Sequence, residues 1–129
     1  MLLSLPDNYP DTGGGENYVL NVLSQVKDTH GAHIDTYAYT WLTVIEAPNE
    51  GNGGCLELVP GVTDAKAIDG PEVIRIYPKP GDCIFLAANN TIHRVAPLTQ
   101  PSRRLVFASA FANEGTLNKT SYSSKSLYG

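Results

Sequence analysis

The sequence predicts an all-β domain, and three observations carry that prediction. Runs rich in β-branched and aromatic residues recur along the chain, each too short for a helix of ordinary length. Turn signals separate them: the 129 residues include 12 Gly and 9 Pro, and motifs such as Pro60-Gly61 and Pro78-Lys79-Pro80-Gly81-Asp82 fall between the runs. Neither a βαβ alternation nor an internal repeat interrupts this pattern. Regular short strands between turns point to a sandwich or a barrel.

Taken in order, residues 1–15 are rich in Pro, Asp and Gly and are expected to form an irregular arm. The first strand is expected over 18–26 (YVLNVLSQV), whose nearly continuous apolar run suggests cover on both faces. The stretch THGAHIDTYAY follows, then 39–46 (YTWLTVIE), the strongest strand signal in the chain. Residues 47–54 (APNEGNGG) form a loop with little conformational restraint. Further strands are expected over 55–59, 73–77, 83–87, 91–96 and 103–112, with one short helical turn within 63–70. The polar tail 113–129 is expected to fray. One domain over 1–129 accommodates all of this.

The net charge of −4 argues against nucleic acid as a partner, because phosphate binding needs a basic surface. No apolar run is long enough to span a membrane, and Met1 to Pro6 is too short for a signal-peptide core, so a cytoplasmic protein is expected. Cys55 and Cys83 are then expected to be buried, reduced thiols.

The chemistry centres on His33-Ile34-Asp35. Residues two apart on a strand face the same side, so an imidazole and a carboxylate can address one point. Either residue alone has an ordinary role, as a half-buried histidine or a turn aspartate. His93 changes the weighing: two histidines and one carboxylate form the facial triad that leaves coordination positions open on iron. His30, beside Gly31, is expected to lie outside the site and is the fallback ligand.

Arg103-Arg104 follows. An arginine near a metal can hold a carboxylate by two parallel hydrogen bonds, whereas a surface arginine is the commoner case. Strand parity separates them. If Arg104 points inward, so do Val106, Ala108 and Ala110, which leave space; if Arg103 does, Leu105 and Phe107 fill it. Arg104 is preferred, with Arg103 as its alternative. On the first and third strands, Asn21 and Thr43 are candidates for contacting a co-substrate, and Gln25, Tyr39 and Trp41 for contacting substrate.

His33-Ile34-Asp35, then His93, then Arg104 eleven positions later, resembles the Fe(II)/2-oxoglutarate-dependent dioxygenase superfamily. Gly53-Gly54-Cys55-Leu56-Glu57-Leu58-Val59-Pro60-Gly61 and Pro80-Gly81-Asp82 resemble segments of its phytanoyl-CoA-hydroxylase-like and prolyl-hydroxylase-like branches. The resemblance implies a double-stranded β-helix, or jelly roll, with cupin-like architecture. It implies Fe(II) held by His33, Asp35 and His93, and 2-oxoglutarate anchored by Arg104. O2 is then expected as the second co-substrate, and a small metabolite, amino-acid-like molecule or natural-product intermediate is expected as the substrate, although the motif itself says little about it. Related halogenases carry a small residue where Asp35 stands, which favours hydroxylation or another oxidation over halogenation here. Val106 stands two residues after the arginine, where relatives often have Ser or Thr. Two other classes compete: a cupin-type metalloprotein that does not use 2-oxoglutarate, and a degenerate, non-catalytic binding barrel. Relatives buttress the barrel with N-terminal helices, whereas only 17 residues precede the first strand here, so a homo-oligomer is expected.

Overall fold

A computed structural model of the chain describes residues 9–10 and 18–112. Nine strands are present among them: β1 (Tyr9–Pro10), β2 (Tyr18–Leu23), β3 (His30–His33), β4 (Tyr39–Glu46), β5 (Leu56–Pro60), β6 (Ile74–Ile76), β7 (Cys83–Leu86), β8 (Thr91–Val95) and β9 (Arg104–Ala112). All pairings are antiparallel. One sheet runs β9-β4-β7, with β2 and β1 both lying along the free edge of β9; the other runs β3-β8-β5-β6. This is a jelly-roll sandwich. The helical turn expected within 63–70 is a 3-10 turn, Ala65–Asp69, started by the Asp64 side chain, which accepts from the Lys66 amide.

The β9 sheet and the β8 sheet meet through alternate side chains. Leu56 and Leu58 of β5 pack on Leu86 and Ala88, with Leu42 against them. Leu23 of β2 packs on Val95 of β8 and on Leu98. These contacts close the sandwich around a cleft.

Several expectations need correction. The first strand ends at Leu23 rather than at Val26. The Asp28 carboxylate accepts from the Ser24 and Gln25 amides and bends the chain there. Its apolar run is not covered on both faces: Tyr18, Leu20 and Val22 are exposed. Within the expected irregular arm, Tyr9–Pro10 pairs with Phe111 and Ala112; the rest of the arm and the tail 113–129 lie outside the described residues. Cys55 is buried, but Cys83 is exposed; neither forms a disulfide.

Candidate metal centre

His33 is the last residue of β3, and His93 sits opposite it on β8. Asp35 lies just beyond the strand, where its amide donates to the Ala88 carbonyl at 2.9 Å. That bond keeps the chain extended, so His33 and Asp35 share the inner side. Ile34 turns outward to the cluster of Val59, Ile68 and Ile92. The central residue of the motif thus anchors the segment in apolar packing while its neighbours face the cleft.

Asp35 Oδ1 is 3.3 Å from His33 Nε2 and 3.4 Å from His93 Nε2, and one ligand atom from each of the three residues lies within 4.8 Å of the others. Ligand atoms about 2.1 Å from one ion and at right angles to each other are separated by about 3 Å, so the spacing suits one metal. The donor chemistry agrees. His33 Nδ1 lies 2.6 Å from the Gly31 carbonyl and His93 Nδ1 2.8 Å from the Thr91 carbonyl. A carbonyl only accepts, so each Nδ1 carries the proton, and a neutral ring has only its Nε2 lone pair to offer. Two such lone pairs and a carboxylate oxygen converge, an arrangement that calls for a cation. Backbone carbonyls on the second nitrogen are the usual means of fixing a metal-binding tautomer.

Burial alone would push the Asp35 carboxyl up, but its contacts with the His33 and His93 rings and the hydrogen bond donated by Thr40 override it and hold the group below the usual carboxylate range. Asp35 is therefore ionised and ready to ligate at neutral pH.

Arg104, at the start of β9, is 4 % exposed and lines the same cleft. Its Nη1 is buried with no hydrogen-bond partner among the described residues. Burial lowers the guanidinium to about 10, so it keeps its charge at neutral pH. A buried cation with no counter-ion among the described residues, in a cleft that also holds a metal-type triad, is suited to an anionic ligand. Two glycines let the neighbouring loop pack close to the Arg104 stem. Gly53 (φ 79°) and Gly54 (φ 76°) both adopt the left-handed conformation. A Cβ on Gly53 would lie 2.1 Å from the Pro97 carbonyl oxygen, and one on Gly54 would reach the Leu98 and Pro48 side chains at 2.9 Å, beside the Arg104 stem.

Of the other candidates, Asn21 lines the cleft, together with Ala108 and Ala110. Arg103 is exposed and pairs with Glu46 outside it. Gln25 is exposed in the turn after β2, because the strand stops before it. On β4 it is Thr40 and Leu42 that face the cleft, so Tyr39, Trp41 and Thr43 point away from it. Tyr39 stacks on Phe85, Trp41 packs tilted against the same ring, and Thr43 lies beside Cys83. His30 is also placed differently from expectation: it lines the cleft. The reason is a β-bulge. His30 pairs with Val95 and His33 with His93, three residues on β3 against two on β8. The extra residue restores His30 to the face that strict alternation would deny it. Burial first, and then the charge of Arg104, lower the His30 imidazole to about 4.

The halogenase D family model matches residues 8–128. The chain belongs to the halogenase D family. The sequence has no match among curated proteins. Among solved structures, it is similar to a prolyl hydroxylase from Trichoplax adhaerens, bound there to a hypoxia-inducible-factor peptide. That match has 18% identity and a TM-score of 0.61, over 77% of this chain and 44% of the other. A prolyl 4-hydroxylase from Phytophthora capsici matches with 18% identity and a TM-score of 0.52, over 77% and 33% of the two chains. A bsmA homologue from Methylobium petroleophilum matches with 20% identity and a TM-score of 0.51, over 66% and 33%. These likenesses show a shared fold. The halogenase D family chain spans less than half the length of each of the three structures. No helix among its described residues is long and apolar enough to cross a membrane.

Proposed function

We propose that this protein is a non-haem Fe(II)/2-oxoglutarate-dependent oxygenase that hydroxylates a small metabolite, amino-acid-like molecule or natural-product intermediate. The observation that carries the reading is the convergence of His33 Nε2, Asp35 Oδ1 and His93 Nε2 beside the buried, unpaired Nη1 of Arg104. His33, Asp35 and His93 would hold the iron. Bound there, Fe(II) would supply the redox chemistry, with O2 and 2-oxoglutarate as co-substrates. The chain's own contribution is position and exclusion of water. Arg104 takes the distal carboxylate of the co-substrate, and Ala108 and Ala110 leave it space. Leu42, Leu56 and Leu86 supply apolar wall.

Halogenation is the second reading, favoured by the name of the family. Asp35 weighs against it, since its carboxylate oxygen converges with the two imidazole nitrogens and would itself take a ligand position that a halide would otherwise fill. Halogenases of the superfamily that the sequence resembles carry a small residue there. Product analysis with chloride or bromide present separates the two: oxygen insertion alone is expected, and a halogenated product would reverse the preference.

The primary test is anaerobic titration of the protein with Fe(II) and 2-oxoglutarate, followed by visible absorption. A weak metal-to-ligand charge-transfer band that saturates with 2-oxoglutarate is expected. Iron binding without that band would move the cupin-type reading ahead, and absence of iron binding would leave the non-catalytic barrel.

A further inference from the structure

Thr40 is a cleft residue that neither the triad nor the co-substrate anchor accounts for. It lies on β4, in the sheet opposite β3 and β8, and is 6 % exposed. Its hydroxyl donates to Asp35 Oδ2 at 2.7 Å, while Asp35 Oδ1 faces both imidazoles. The two carboxylate oxygens are thereby given different tasks. We infer that Thr40 is a positioning residue of the metal centre, holding Asp35 Oδ2 away so that only Oδ1 is available to a metal ion.

The inference rests on the metal reading of the triad, and it has a chemical consequence. A facial triad leaves three of six octahedral positions open. A chelating oxo-acid takes two, and a third must remain for O2. A carboxylate that used both oxygens would consume that third position. The Thr40 hydroxyl is the donor that engages Oδ2, and without it the carboxylate is free to rotate about its last bond. Holding a ligating carboxylate by an outer hydrogen bond is a general way to tune a metal site, and loss of such a bond costs 10–100-fold in metal affinity or activity. Here the bond crosses from one sheet to the other, so it also fixes Asp35 relative to the Arg104-bearing strands.

The test uses Co(II) as a spectroscopic probe, with the full chain and its Thr40→Val and Thr40→Ser variants. Valine keeps the shape and removes the donor; serine keeps the donor and removes the methyl group. Thr40→Val is expected to raise the Co(II) dissociation constant roughly tenfold or more and to change the ligand-field absorption of the bound ion. Thr40→Ser is expected to restore both. Wild-type affinity and spectrum in Thr40→Val would overturn the inference. Equal losses in Val and Ser variants would overturn it too, since packing and not the hydroxyl would then be responsible. If valine prevents folding, as judged by circular dichroism, Thr40→Ala carries the same comparison. Failure of the unsubstituted protein to bind Co(II) has a different meaning: the triad is then not a metal site, and the proposed function falls with it.

Discussion

The two sheets differ on both of their faces. Inside the cleft, the β8 sheet brings His33 and His93, with Asp35 directly after β3, and all three present acceptor atoms. The β9 sheet brings the donors, Arg104 and Thr40. Outside, the β8 sheet is backed. Ile68 from the 3-10 turn packs on Val59 and Ile92. Glu57, 3 % exposed, accepts from Arg75 Nε at 3.0 Å and from Arg94 Nη2 at 2.7 Å. The β9 sheet has no such cover among the described residues: Tyr18, Leu20, Val22, Phe85 and Phe107 are exposed on it. The difference teaches where precision is needed. Metal ligands tolerate little misplacement, and two of the three sit on the strand pair that has an apolar and ionic backing. Arg104, with its long stem, reaches the cleft from the less supported sheet.

The largest expected effect is on the acceptor side. Asp35→Asn is expected to abolish Fe(II) binding measured by calorimetry, because it removes the charged ligand and leaves two neutral imidazoles. Retained wild-type affinity would mean that the convergence of the three residues is not a metal site.

On the donor side, Arg104→Ala is expected to weaken 2-oxoglutarate binding by roughly 2–5 kcal/mol, as for truncation of one partner of a buried charged pair. Iron affinity should persist. Arg103→Ala should change little, since Arg103 is exposed and its pair with Glu46 is a surface one. The reverse order of effects would mean that β9 presents its other face to the co-substrate.

The backing of the β8 sheet is tested by Arg94→Ala. It leaves the Glu57 carboxylate buried with only Arg75, and a loss of about 3 kcal/mol in urea-unfolding stability is expected. Fe(II) affinity should fall as well, because Arg94 is next to His93 and braces its strand. A loss of stability with unchanged metal affinity would separate the backing from the site.

The smallest effect is expected on the uncovered sheet. Leu20→Lys should change stability by no more than about 0.5 kcal/mol, as for most surface positions. The self-association expected from the sequence would draw on this apolar face, so light scattering should show the Leu20→Lys, Phe107→Lys pair shifted toward monomer. A large loss of stability would mean that this face is covered.

Acid should weaken the fold from the cleft side. The folded-state pKa of His30 is lowered to about 4, so the unfolded chain binds the proton more readily between there and about 6.5. Its contribution to stability is present above that window and is lost as pH falls through it. His30→Gln should flatten this part of the pH–stability curve.

The sequence by itself determined the strand pattern, because alternation and turn residues act locally. Tyr39–Glu46 is found at the expected bounds, and β5 to β9 begin or end within a residue or two of theirs. It also determined the ligand types, since His33, Asp35 and His93 are recognisable by chemistry and order. The inward face of β9 was legible because its two faces differ: small residues follow Arg104, large ones follow Arg103. The faces of β4 were not legible in this way, since Thr40 with Leu42 and Trp41 with Thr43 are similar mixtures of polar and apolar residues. Only the opposite sheet decides that Thr40 points in, where Asp35 awaits its hydroxyl. His30 was missed because a bulge is a relation between two strands, and alternation along one strand carries no record of it. Gln25 was misplaced because the Asp28 side chain ends the strand three residues before the apolar run does. Local propensity thus wrote the elements and their chemistry, while register and the meeting of the two sheets decided which side chains share the cleft.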